Sequence, residues 1–289
     1  MTMSDRPLVS VITPSYNQAR WLADNMRSVA GQTYPAVEHI VMDGGSTDGS
    51  IEILRAAGAR VRWRSEADRG QSHALNKAFA ESEGSIIGWL NSDDAYFSTD
   101  AIESAVRLFV AHPEIDVVYG HAALVNADGL ILQMIWVPRF NYRLLKLHNF
   151  IIQPAAFVRR SALGTAVADE AYDYAMDCEL WLRLGLDHRF ARLDKVLAID
   201  RHHLARKSLS RPDLAQADGA RLAATYGVPA RQSRARLKAI KIAFRVAGIR
   251  LVPRAVRAHL AFEGAVDSPW RLAFRQVAVT RAAMPKGKP

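Results

Sequence analysis

One cysteine, Cys178, is all that 289 residues contain. Disulfides need pairs, so no covalent framework staples this chain, and a reducing, cytoplasmic setting is the expectation. Long apolar runs are missing as well. Nothing approaches the ~20 consecutive apolar residues that cross a bilayer, and MTMSDRPLVSVITP at the start carries an apolar run of only a strand's length, unlike a secretory leader. There is no GxxxxGK[ST] phosphate loop, which argues against a P-loop NTPase, and no GxGxxG after the first apolar run, which argues against a dinucleotide fold. Internal repeats and low-complexity segments are also absent.

The net charge of +9 is distributed unevenly. Residues 229–289 hold 14 Lys and Arg against Glu263 and Asp267, whereas the first 228 residues hold 24 basic and 27 acidic side chains. Basicity therefore belongs to a tail, and the expected division is a main domain over 1–228, with halves near 1–120 and 121–228, followed by a basic helical extension. At 49% hydrophobic residues the main domain has ample material for one large core.

Strand and helix patterns alternate along the first half. LVSVIT (8–13), VEHIVM (37–42), ARVRWR (59–64) and SIIGWL (85–90) read as strands; helical periodicity occupies the segments after the first strand, around Ser50, over 71–81 and over 100–111. Such alternation predicts an α/β fold with a doubly wound, mostly parallel sheet. Further on, the pattern predicts a hairpin turning at Asp128-Gly129, a short strand at 156–158, a helix over 177–185 and a strand over 189–199. Ligands of doubly wound sheets bind beyond the carboxyl ends of the strands. Polar groups gather there after each of the first four: Ser15-Tyr16-Asn17, Asp43, Asp68 and Asn91–Asp94.

Asp93 and Asp94 stand side by side at the end of the fourth strand, where like charges repel unless a cation offsets them. A divalent ion suits the position, because Mg²⁺ binds through one or two carboxylates plus substrate phosphates. Asp93 is the expected first ligand, with Asp94 a weaker second one. A pair of helix-capping aspartates is the competing explanation.

VSVITPSYNQARWL, IVMDGGSTDGS, DRGQSHALNKAF, GSIIGWLNSDD and MDCELWLRL, in that order, resemble the family 2 glycosyltransferases of the GT-A (Rossmann-like) fold, over roughly residues 8–210. The resemblance implies an inverting enzyme that takes a nucleotide-diphospho-sugar, with a UDP-sugar expected, and uses Mg²⁺ or Mn²⁺. It implies that Pro14, Tyr16 and Asn17 line the nucleotide pocket and that Asp43 bonds the base or ribose. Asp68, Gln71 and Asn76 would stand near the base or sugar, and Asn91-Ser92-Asp93 would occupy the metal-binding Asp-x-Asp position. Asn91 departs from that motif: it brings no charge but offers one acceptor and two donors, which would suit the ribose or the donor sugar. Asp177 fits the catalytic base, with Met176 in place of the usual acid before it; a helix N-cap is the alternative role for the same aspartate. Gln153, from Gln153-Pro154, would lie toward the acceptor. Arg201-His202-His203 with Arg206, Lys207 and Ser208 resembles an element that closes over the donor, in which His203 would touch the metal or diphosphate and the other three the phosphates.

Leu237, Ile240, Phe244, Ala247 and Leu251 recur at helical spacing beside Arg234, Lys238, Lys241 and Arg245. An apolar face flanked by long basic side chains suits a helix lying on an anionic membrane, so residues 230–289 are expected to hold the protein at the inner face of the cytoplasmic membrane. A helix packed on the domain is the alternative. Nucleic acid is not the expected partner, since the tail has no recognition motif. The implied acceptor is a lipid-linked glycan of bacterial surface polysaccharide. A nucleotide-sugar-binding protein without transfer, and a sugar nucleotidyltransferase, are the alternative functions; against the latter, Pro14-Ser-Tyr-Asn stands where its glycine-rich first loop would be.

Overall fold

The computed structural model describes residues 6–203 and 212–229. Arg206, Lys207, Ser208 and the basic tail over 230–289 lie outside the described residues. Strands β1 (Val9–Ser15), β2 (Val37–Asp43), β3 (Arg62–Ser65) and β4 (Ile86–Trp89) alternate with helices α1 (Ala19–Ala30), α2 (Ser50–Ala57) and α3 (Gln71–Glu81). A two-residue strand β5 (Ala95–Tyr96) and helix α4 (Ala101–Ala111) follow. The second half comprises β6 (Val117–Asn126), β7 (Ile131–Ile135), α5 (Tyr142–Leu147), β8 (Ala156–Arg159), α6 (Arg160–Leu163), α7 (Met176–Asp187), β9 (Phe190–His202) and α8 (Pro212–Tyr226).

The strands form one sheet in the order β3-β2-β1-β4-β8-β6-β9-β5, with β7 paired to β6 outside that path. The first four strands in that order are parallel, as the alternation predicts. Both faces are covered, and β1 shows it in miniature: Val9 and Val11 pack with α4, while Ile12 packs with α3 on the opposite side. A strand buried on both faces reads as a continuous apolar run rather than an alternation, which is how LVSVIT reads.

Sequence and structure differ in three places. Residues 58–60 form a 3₁₀ turn, so the third strand begins at Arg62 rather than Ala59. The hairpin turns where expected, but β6 is one continuous strand over ten residues. Most consequentially, β8 runs antiparallel to both β4 and β6, with Gly88 opposite Phe157 and Val118 opposite the same residue. Reversal places the start of β8 at the carboxyl end of β4. Gln153, in the 3₁₀ turn just before it, is thereby delivered to the rim.

Candidate active site

A cleft of about 1130 Å³ opens at that rim. Pro14 and Tyr16 from the end of β1, Asp68 from the loop leading to α3, Gln71 at the start of α3, Asn91 to Asp94 after β4, Gln153 before β8 and Asp177 on α7 all line it. Tyr16 is 61% exposed, which leaves its ring face open as a platform at the mouth. Gly44 permits the floor beside it, because a Cβ there would sit 2.7 Å from Asp68 Oδ2 and 3.3 Å from the Tyr16 ring. Gly70 adopts φ +114°, which side chains rarely tolerate, and lets the chain turn into α3 directly at the cleft wall.

Asn91 is the hub of this rim, and its amide is fully used. Oδ1 accepts from Trp89 Nε1 at 2.8 Å and from Gln71 Nε2 at 2.8 Å. Nδ2 donates to Gln153 Oε1 at 2.9 Å and to Asp94 Oδ2 at 3.3 Å. The orientation is forced. An indole N–H only donates, so it must meet Oδ1, and Gln153 donates to the Trp89 carbonyl, so its oxygen must face Asn91. An aspartate at 91 would lose both donors and set its charge against Asp94. Neutrality at this position therefore follows from the chain's own network.

The two aspartates have different tasks. Asp94 is buried, and its Oδ1 accepts the backbone N–H of Arg201 at 2.9 Å. It ties the end of β9 to the turn after β4. The Asp93 carboxylate meets His203 Nε2 at 2.9 Å, and its backbone carbonyl accepts from Arg201 Nε at 2.8 Å. Arg201 is buried beneath them, with Asp24 3.7 Å away and the Trp21 ring 5.9 Å from its guanidinium carbon. Burial lowers its pKa, while Asp24, Asp94 and Asp93 act to raise it. The cation that the adjacent carboxylates demand is thus supplied partly by the chain itself.

The donor chemistry of this corner fits a divalent ion. Two ligands on adjacent vertices of an octahedron with bonds of 2.0–2.1 Å stand about 3 Å apart, and Asp93 Oδ2 and His203 Nε2 are 2.9 Å apart. His203 is buried, stacks at 4.0 Å on Trp21, and its Nδ1 has no hydrogen-bond partner among the described residues. No group of three or more His, Cys, Asp or Glu that could hold a metal occurs among the described residues. Further ligands would have to come from substrate oxygens and water, which is the usual habit of Mg²⁺.

Across the cleft, Asp177 occupies the first turn of α7, and the residue at the N-cap is Ala175. The capping role that the sequence left open for Asp177 is therefore not the one it has. Capping comes instead from α8: Asp218 Oδ2 accepts from the backbone N–H groups of Asp173, Tyr174 and Ala175 at 2.7–3.0 Å. Asn149 Nδ2 donates to Asp177 Oδ2 at 3.0 Å and fixes the carboxylate. Glu179, two residues on, is buried against Arg183 and the Tyr226 hydroxyl, so it serves packing between α7 and α8. The neighbouring Cys178 thiol is pushed up to about 12 by burial, with Asp177 and Glu179 adding to the effect, and stays protonated.

Four expected site residues among those described do not line the cleft: His203, which reaches it only through Asp93, and Asp43, Asn17 and Asn76. Asp43 is 1% exposed and accepts from Gly45 N, Ser46 N and Ser65 Oγ, which shapes the turn after β2. Asn17, at φ +52°, clasps that same turn through Ser46 and Thr47. Asn76 binds the backbone of Val167 and Ala168 from α3. Each of these three polar side chains sits where the motif put it, but its bonds go to the loops around it. Asn149 and Asp218 are the additions. No local pattern marks either one, because their partners lie 28 and 43–45 residues away.

A model of glycosyl transferase family 2 matches residues 10–165. The chain belongs to that family. A chondroitin synthase of Pasteurella multocida is 30% identical over 194 residues, covering 66% of this chain and 20% of that one. A hyaluronan synthase of the same species matches to the same extent, so the chain spans about a fifth of the length of these two relatives. Among solved structures, S. aureus TarS 1-349 in complex with UDP-GlcNAc superposes with a TM-score of 0.60 at 19% identity, over 93% of this chain and 81% of that one. The mannosyltransferase PcManGT from Pyrobaculum calidifontis, in complex with GDP-Man and Mn²⁺, gives 0.56 at 21% identity over 96% and 80%. At such identities the likeness is one of fold, and the fold is the GT-A fold of this family. No helix among the described residues is long and apolar enough to cross a membrane.

Proposed function

We propose that this family 2 member is an inverting glycosyltransferase that moves a sugar from a nucleotide-diphospho-sugar, a UDP-sugar foremost, to an acceptor hydroxyl. One observation carries the reading: a single cleft sets the open Tyr16 ring, the Asp93 carboxylate with His203 bonded behind it and the Asp177 carboxylate around one space. Tyr16 offers a stacking face for the base, with Asp68 beside it. Asp93 and His203 would hold Mg²⁺ or Mn²⁺, which supplies charge stabilisation for the diphosphate when bound. Asp177, held by Asn149, takes the proton of the acceptor hydroxyl. The acceptor oxygen forms its bond to the anomeric carbon as the bond from that carbon to the diphosphate breaks. The nucleoside diphosphate leaves with the electron pair, and attack from the opposite face inverts the configuration.

A thermal-shift screen of UDP- and GDP-sugars, each with and without Mn²⁺ or Mg²⁺, followed by product analysis, tests the reading. A donor at 100 times its Kd should stabilise the fold by about 2.7 kcal/mol, the shift should need the metal, and the product should have the inverted anomeric configuration. A metal-dependent shift without donor consumption would leave a nucleotide-sugar-binding protein instead.

The proposed acceptor is a lipid-linked glycan of a bacterial surface polysaccharide, at the inner face of the cytoplasmic membrane. The basic, amphipathic pattern of 234–251 supports this placement. Flotation with anionic liposomes should recover the full chain and not a chain ending at residue 229; equal recovery of the two would remove the membrane from the proposal.

A further inference from the structure

Helix α8 contributes to the cleft in a way that nothing in the motifs anticipates. Ala215, Gly219 and Leu222 lie on one stripe of the helix, at steps of four and three, and all three line the cleft. Asp218, next to that stripe, binds the backbone of residues 173–175. The stripe therefore stands beside the 173–175 turn that leads into α7, whose first turn carries Asp177.

Gly219 is the unusual member. It sits inside a 15-residue helix, where glycine is the poorest choice apart from proline. The ordinary reasons for a glycine are missing: its φ is not in the left-handed range, and a Cβ built on it would meet nothing within 4 Å. Neither backbone conformation nor packing requires it. What its bareness does is leave space in the cleft that the half-buried Tyr174 also lines.

Resting on the glycosyltransfer reading, we propose that α8 forms the wall of the acceptor-sugar subsite and that Gly219 sets the size of pyranoside it admits. The acceptor ring lies between the Tyr174 face and the 215–219–222 stripe, with a hydroxyl toward Asp177. A mostly apolar wall with one carboxylate to orient the ligand is the usual composition of such a subsite.

The test compares Gly219→Ala and Gly219→Leu with the full-length wild type, using methyl and p-nitrophenyl pyranosides as acceptors and the UDP- or GDP-sugar panel as donors. Gly219→Ala should raise the melting midpoint, because the helix gains propensity and loses no contact. Gly219→Leu should raise the acceptor KM by roughly tenfold or more while the donor KM holds within about twofold, since one surplus methylene in a fitted pocket already costs about tenfold or more and leucine adds four carbons. A lower midpoint for Gly219→Ala, an unchanged acceptor KM for Gly219→Leu, or a donor KM rising in step would each overturn the assignment. A wild type that hydrolyses donor but transfers to no pyranoside overturns the ligand class. A wild type that turns over no donor removes the glycosyltransfer reading itself.

Discussion

Asp177→Asn is expected to lower transfer by about 10²–10⁴-fold, the usual contribution of a positioned base, while the donor-induced rise in melting midpoint stays. The substitution is nearly isosteric, and the asparagine oxygen still accepts from Asn149 Nδ2, which now bonds Asp177 at 3.0 Å. Asp218 continues to cap the turn before α7, because its partners are the backbone amides of 173–175 and not the Asp177 side chain. The capacity to take a proton is removed together with the negative charge, while the shape is kept. Initial-rate transfer assays beside a thermal-shift titration make the separation visible. Loss of the donor-induced shift with transfer intact would move Asp177 from the chemistry to donor binding. The outcome also distinguishes Asp177 from Glu179, since the carboxylate of Glu179 is committed to Arg183 and Tyr226.

The second large effect is expected at Asp93. Asp93→Asn should abolish the difference that Mn²⁺ makes to donor binding and lower transfer at least about a hundredfold, because a bound cation contributes several kcal/mol to charge stabilisation and 1.4 kcal/mol is a decade. Asp94→Asn should behave differently although it is the next residue. Its carboxylate faces the Arg201 backbone and Asn91, so the neutral side chain should cost about 1–3 kcal/mol of stability and leave the metal response in place. Urea unfolding read beside metal-dependent thermal shifts would show the contrast. Should the two variants exchange phenotypes, the ligand assignment within this pair is wrong.

Much of the cleft was legible in residues that stand at strand ends. Tyr16, Asp68 and Asp93 reach the wall because a polar cluster that follows an apolar strand run stands at the rim onto which the strand opens. Asp43, Asn17 and Asn76 show the limit of that logic. A polar side chain near a site either faces the ligand or builds the loop that does, and the local pattern is the same in both cases. Here the loops after β2 and before α7 take all three.

The sequence by itself determined the alternation of strands and helices, the gathering of carboxylates at one edge and the concentration of net positive charge after residue 228. Each of these is a local property, set by periodicity, turn chemistry and charge count. Only the tertiary structure decided what the adjacent aspartates do, because Asp93 meets His203 across 110 residues and Asp94 meets Arg201 across 107. It likewise decided that Asn91 is a four-bonded hub and that Asp218 caps a helix it does not belong to. An amide or carboxylate binds whatever donor or acceptor the fold brings within reach, and that partner is chosen by strand order and direction. The antiparallel β8, which carries Gln153 to Asn91, is the clearest instance.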